Sequence, residues 1–478
     1  MPSRRPTSPQ DGSGLRRAGD LAVGLAVCGY LISAAVGLPL FEDGSFYLFV
    51  VATEHAPELP NLRFSALLPQ LPAAAAFALG ADLALGRTVF AAVYAAIPTL
   101  SLIACWVLLR RRAPALLLLV LPSFLVMQLN FSGVSELLSA FYLTWPVLLA
   151  MLLLPARRWV MALAIAWGPF LLLLHPLAFV FCFGLGLLAW SQTWRRCEPI
   201  AAAPPRAWRH IALWLGGNGL ARLLWTAFGL NDYERGRLNP SSAVNYMLTE
   251  TIAQHVLVAL LILTTLLALW TLRRDPDPSG RAPMLVATLW LTLLNAVWVS
   301  GEYMLGTGIV LKSAITVGVG VLGMLSVTLL VLGQDGARAR ACGRGSAMAL
   351  RLAGAALLTM LLAKSSAWHT GVRGLQDIVA STDSACIRFA ADAPYSLQWP
   401  WMAITDAWSA PVTALVTRPF VPDADGSGFQ PVAMMLKGDG CEALQATGEA
   451  RLPADTQISF ERLDATFGPL RPPRRLPR

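Results

Sequence analysis

The chain has 478 residues, of which 56% are hydrophobic and only 14% charged, with a mean hydropathy of +0.57. Soluble domains carry roughly 25% charged residues, so this composition excludes an ordinary soluble protein and reads as a polytopic membrane protein. The formal net charge of +9 would suggest nucleic acid in a soluble chain, but here the arginines cluster in short loops between apolar runs, the mark of membrane topology, and no nucleic-acid partner is expected.

Residues 1–20 form a basic tail, and 21–40 an apolar run with no small-residue cleavage site before Phe41. That run is read as a retained span rather than a removed signal. Where it ends, Phe41-Glu42-Asp43-Gly44-Ser45-Phe46-Tyr47 sets two adjacent carboxylates at a membrane boundary. Desolvation is costly there, which makes Glu42 and Asp43 functional candidates. From 44 to 85, two moderately apolar stretches broken by Pro57, Pro60, Pro69 and Pro72 are expected as helices lying along the interface. Apolar windows then give about eleven spans in all: 21–40, 87–109, 113–131, 136–154, 158–174, 176–190, 211–230, 251–272, 283–300, 312–333 and 347–364.

Every second connection is rich in arginine, beginning with Arg16-Arg17, Arg110-Arg111-Arg112 and Arg157-Arg158. The positive-inside rule places these, and the N-terminus, in the cytoplasm. An odd span count puts residues 365–478 on the opposite face, as a small polar domain behind a membrane part of 21–364. The abundance of Arg, Ala, Leu and Gly suggests a bacterial source, and so a bacterial inner membrane with a periplasmic C-terminal domain. Only Cys386 and Cys441 fall in that exported region, and they are expected either to pair as a disulfide or to stay as two thiols. Short apolar runs at Ile387–Phe389, Val412–Val416 and Val432–Leu436 read as strands of an α+β or β module. Trp399, Trp401 and Trp408 either fill its core or serve as a surface for sugar or membrane.

Polar residues from several connections gather on the exported face: Glu42, Asp43, Glu54, His55, Arg63, Glu136, His175, Arg235, Arg237, Glu302, Tyr303 and Lys312. Glu136 stands at the head of an otherwise apolar span. His175-Pro176 is either a helix break that presents an imidazole or a structural hinge. Glu54-His55 is a poor chelating pair, because adjacent helical residues face different ways.

In this order the features resemble the GT-C superfamily of membrane glycosyltransferases, which includes the lipid A aminoarabinose transferase and protein O-mannosyltransferase families. Asp43-Gly44-Ser45-Phe46-Tyr47 is similar to that superfamily's acidic motif after its first span. Asn61 to Arg87 has the layout of its interfacial helices, and Phe131 to Leu138 that of its second acidic site, with Glu136 where many members carry Asp. The first loop departs from the family pattern, having Arg63-Phe64-Ser65 instead of a proline-proline-leucine stretch, and Gly44 rather than Glu after Asp43. The resemblance implies an all-α fold of about eleven spans and an inverting transfer of sugar from a polyprenyl-phosphate donor to a lipid, glycan or protein acceptor. It makes Asp43 the general base. Glu136 would orient the acceptor or share a divalent metal, Mg or Mn, with Asp43, and Glu42 is a secondary candidate. Tyr47, Arg63, His175, Arg235, Arg237, Tyr303 and Lys312 would bind substrate, the cations facing the leaving phosphate. The competing readings are a lipid-linked glycan transporter or flippase, and a non-catalytic scaffold.

Overall fold

The computed structural model describes residues 10–59, 64–129, 135–193, 205–229, positions scattered over 321–331, and 344–388, 409–418, 429–452 and 456–473. The expected spans 251–272 and 283–300 and the three tryptophans lie outside these residues, as does most of 312–333.

The protein is mostly helical with a small sheet region. The first part runs through α1 (Gln10–Ala35), α2 (Asp43–Glu54), α3 (Leu67–Ala78), α4 (Leu83–Leu109), α5 (Leu117–Val126), α6 (Glu136–Leu153), α7 (Arg158–Leu174), α8 (Phe179–Gln192) and α9 (Pro205–Phe228). Helix α10 (Arg344–Ser381) leads into the C-terminal part. Among the described residues four helical segments are long and apolar enough to cross a membrane: Ser13–Ala35, Leu83–Leu109, Glu136–Leu153 and Ala347–Ser381. Helices α3, α5, α7 and α8 are apolar but shorter.

α1 packs most extensively on α10, and the two run parallel. Ser33 Oγ lies 3.0 Å from Ser365 Oγ, and the Trp368 indole donates to the Val36 carbonyl at 3.1 Å, both pairs being 332 residues apart. A constant offset requires parallel strands of contact; antiparallel helices would give a constant sum. Small residues make the seam. Ala18, Ala22 and Ala26 are buried at four-residue spacing on α1, and Gly354 meets Ala22 on α10. This is the small-residue packing that lets helix backbones approach inside a bilayer.

α4 runs antiparallel to α1. Its final turn meets the first half of α1 through Asp20, which accepts from the Trp106 indole and pairs with Arg110, both at 2.9 Å. α9 is tied at both ends: Trp208 donates to the Pro155 carbonyl and Thr226 to that of Pro176, each at 3.2 Å. The bundle therefore has two chemically distinct ends. Arg110, Arg157, Arg158 and Arg206 sit at one, whereas Asp43, Glu136 and His175 sit at the other.

Two boundaries differ from expectation. Helix starts at Gln10, inside the expected tail, and so includes Asp20, which pairs with Arg110 at the end of α4. α10 runs unbroken past residue 364, where the apolar window ends, and its polar second half stays helical to Ser381. In the expected interfacial stretch, α2 is buried along almost its whole length.

The C-terminal part is α+β. β1 (Cys386–Arg388) pairs in parallel with β2 (Met434–Leu436), and β3 (Glu449–Leu452) forms an antiparallel hairpin with β4 (Thr456–Ser459). Helices α11 (Ala410–Val416), α12 (Gly440–Thr447) and α13 (Phe460–Phe467) complete it. The strand expected at 412–416 is thus helix α11, a correction with a plain cause. The run is buried on every side, so it shows no alternation to separate strand from helix, and Pro411 in the first turn favours helix. A disulfide joins Cys386 to Cys441. The buried Arg418 donates to the carbonyls of Phe467 and Pro469, fastening the end of α13 beneath α11.

Candidate functional site

α1 stops at a left-handed glycine, Gly37 (φ 77°), the usual helix-ending conformation. A 3-10 turn, Leu38–Leu40, follows, held by the Trp368 indole and by an edge-on contact of Trp368 with Phe41 at 6.0 Å. The chain then makes a strained step. Glu42 has φ 48° and ψ −112°, a conformation that costs a non-glycine residue about 1–3 kcal/mol and concentrates at functional sites. This step starts α2 with Asp43 in its first turn, where a carboxylate is favourably placed against the helix dipole.

Tyr47 lies one turn after Asp43, on the same face of α2. Its hydroxyl donates to Glu136 Oε1 at 2.7 Å. Glu136 is the first residue of α6 and is only 5% exposed. Ser135 caps that helix, its hydroxyl accepting from the Leu138 amide at 3.4 Å, and its own amide donates to the Tyr94 hydroxyl at 2.8 Å. The N-terminal turns of α2 and α6 thus converge, 89 residues apart in sequence. Tyr47 and Glu136 meet at the end of the bundle that carries few arginines, with Asp43 one turn before Tyr47 on α2.

Burial raises the carboxyl pKa of Glu42 above its ordinary value. The folded chain then binds a proton there more tightly than the unfolded one. Stability therefore falls as pH climbs from the unfolded value of 4.5 through the raised folded value. Glu42→Gln removes this loss. Thermal unfolding is expected to show the variant's advantage growing from nil in acid to a plateau near neutrality, and a flat difference across that range would refute the burial argument.

His175 interrupts the polypeptide between α7 and the 3-10 turn Pro176–Ala178. Its Nδ1 accepts from the Leu177 amide at 3.1 Å, so a helix break and a partly exposed imidazole coexist. Glu54 and His55 diverge. Glu54 pairs with Arg462 at 2.8 Å, and His55 stacks against Phe77 at 6.3 Å. Arg63, Arg235, Arg237, Tyr303 and Lys312 lie outside the described residues. Among the described residues no group of three or more His, Cys, Asp or Glu side chains comes together.

The structure adds a cluster that sequence reasoning missed. Lys364, 3% exposed, donates to Gln128 Oε1 at 3.2 Å, and Gln128 Nε2 donates to the hydroxyls of Tyr30 and Tyr142, each at 3.2 Å. Its sequence signal is a lysine at the close of an apolar run, a position that marks a functional candidate. The C-terminal module covers α2 from outside. Phe467 stacks on Phe49 at 5.3 Å, and Arg462 donates to the Thr53 carbonyl at 2.8 Å, closing the last turn of α2. In comparisons with known proteins, no family model, no curated protein and no solved structure matches the chain.

Proposed function

We propose that the chain is an inverting integral-membrane glycosyltransferase. In this reading it moves a sugar from a polyprenyl-phosphate donor to a lipid, glycan or protein acceptor, on the outer face of a bacterial inner membrane that about eleven helices cross. The observation that carries the proposal is the hydrogen bond from Tyr47 to Glu136. It fastens the turn that holds Asp43 to the second acidic position, so both motifs of the resemblance serve one locus. Asp43, half-buried, is the base that takes the acceptor's proton as the acceptor oxygen attacks the anomeric carbon and the lipid phosphate leaves. Glu136 orients the acceptor, and its own position is fixed by Tyr47.

The test is Asp43→Asn, assayed with membranes of a strain lacking the gene and supplied with polyprenyl-phosphate sugars. A general base contributes about 10²–10⁴-fold to rate, so transfer should fall by at least about a hundredfold while the variant inserts and unfolds like the parent. Full transfer by the variant would remove Asp43 from the chemistry. A transporter is the second reading, favoured by the polar cluster around Lys364 inside the helices. It requires uptake of a lipid-linked glycan into reconstituted vesicles that Asp43→Asn leaves unchanged.

A further inference from the structure

Arg87, in the second turn of α4, is half-buried, and it makes no hydrogen bond or ion pair with another described residue. Asp82 is near enough for its charge to be felt there, but the two form no ion pair. The Asp82 carboxylate is exposed and caps α4, accepting from the Leu85 amide at 2.7 Å. Arg87 stands on the inward face of its helix. Leu83, Phe90 and Tyr94 are buried on that face, whereas Leu85, Ala92 and Leu100 are exposed on the opposite one. Residues seven apart share a helix face, so Arg87 lies in line with Tyr94, about 10 Å along the axis toward the end of the bundle that carries few arginines. The Tyr94 hydroxyl accepts from the Ser135 amide, next to Glu136. Arg87 therefore stands two turns outside the head of α6.

Three helices give its level in the membrane. The exposed face of α10 passes from Leu352, Ala355 and Leu362 to Ser366, His369 and Arg373, so the apolar belt ends near Ser366. The 332-residue offset sets Ser366 beside Ala34 of α1. α4 runs the other way, with Gly19 against Trp106 and Tyr30 beside Tyr94, which brings Ala34 level with about residue 91. Arg87 is one turn further, about 6 Å outside the belt, where lipid phosphates lie. α2 joins this level to the acidic turn. Its first turn reaches Glu136 through Tyr47, and at its other end His55 stacks on Phe77, whose ring packs against Gly86 beside Arg87. The distance between the two levels leaves room for one sugar ring. A half-buried guanidinium without a partner is costly, and a phosphate meets its planar fork with two parallel hydrogen bonds. Basic residues set among helices at this depth suit lipid headgroups.

We propose that Arg87 holds the phosphate of the lipid-linked donor, above the acidic turn of α2. The identity of the lipid rests on the glycosyltransferase reading. As the acceptor oxygen bonds the anomeric carbon and its proton passes to Asp43, the bond from that carbon to the phosphate oxygen breaks. The electron pair stays on the phosphate, whose growing charge faces the guanidinium. Arg87 thereby joins Arg63, Arg235, Arg237 and Lys312 as a cation for the leaving group.

The experiment uses the full chain in phosphatidylcholine nanodiscs doped with polyprenyl phosphate or, as control, with uncharged polyprenol. Native mass spectrometry reads the lipid retained, and one polyprenyl phosphate per chain with no polyprenol is expected. Arg87→Gln should weaken retention by at least about tenfold, the effect of losing a charged hydrogen-bond donor. Arg87→Lys keeps the charge without the fork and should weaken it by about fivefold. Thermal unfolding checks that each variant folds like the parent, and Arg87→Lys decides the matter if Arg87→Gln does not fold. Retention needs neither acceptor nor transfer. A lost dependence on Arg87 therefore leaves the Asp43 test standing, and failure of the Asp43 test leaves this one standing. No retained polyprenyl phosphate, equal retention of polyprenol, or a folded Arg87 variant that binds like the parent overturns the proposal.

Discussion

Gly354→Leu is expected to abolish the folded bundle, and Gly354→Ala to weaken it measurably. A Cβ at Gly354 would stand 2.5 Å from the Ala22 Cα and 2.8 Å from the Ala22 carbonyl oxygen. Those are backbone atoms, so no side chain can swing aside, and α1 and α10 must move apart. Separation would also stretch the Ser33–Ser365 contact and lift the Trp368 indole from Val36, about three and four turns further along the same seam. Forcing one methyl group into a packed interior costs about 1–3 kcal/mol, and the three further carbons of leucine exceed anything this interface can absorb. Gly24→Ala supplies the control. It lies on α1, is exposed and has nothing within 4 Å of its added carbon, so it should be neutral or slightly stabilising. Thermal unfolding in detergent, with gel filtration to register loss of the monodisperse form, checks all three variants. Gly354→Leu behaving like Gly24→Ala would show that the seam does not hold the bundle.

The sequence displayed its helices through composition and its ends through arginine. Leu83–Leu109 and Glu136–Leu153 fall within a few residues of the apolar windows because their caps are local: Asp82 accepts from the Leu85 amide, and Ser135 from that of Leu138. Contacts made by distant segments were another matter. Nothing near Tyr47 in sequence announces Glu136, since the bond depends on how α2 folds back over the head of α6. Lys364 reads as a polar residue closing an apolar run. Only the parallel pairing of α1 with α10 reveals that it faces Gln128 and the phenols instead of water. The segment at 412–416 failed for a third reason, since full burial erases the amphipathic pattern on which the choice of helix or strand rests. Thus the acidic motifs were legible as candidates, whereas the groups that position them were not.

The second large effect is expected from the double substitution Cys386→Ser and Cys441→Ser. The disulfide spans 55 residues and ties β1, which continues from α10, to the start of α12. On chain-entropy grounds a loop of that size contributes about 4 kcal/mol, a large share of what a small module has to spare. The module's folding bears directly on the candidate site, because α2 is held from outside by it. α11 packs on α2, Phe467 stacks on Phe49, and Arg462 closes the last turn at Thr53 and Glu54. The ion pair with Glu54 is about half-exposed and adds no more than about 1 kcal/mol, so the apolar cover matters more. Loss of the disulfide should therefore expose the segment after Ser381 to limited proteolysis while the earlier helices stay protected. Any transfer activity should fall with it, as the turn bearing Asp43 and Tyr47 loses its backing. A reductant added to the unmodified protein should reproduce the cleavage pattern, whereas Arg462→Ala alone should leave it nearly unchanged. Undiminished protease resistance in the double serine variant would mean that the helices α10 and α2, and not the covalent bridge, hold the module in place.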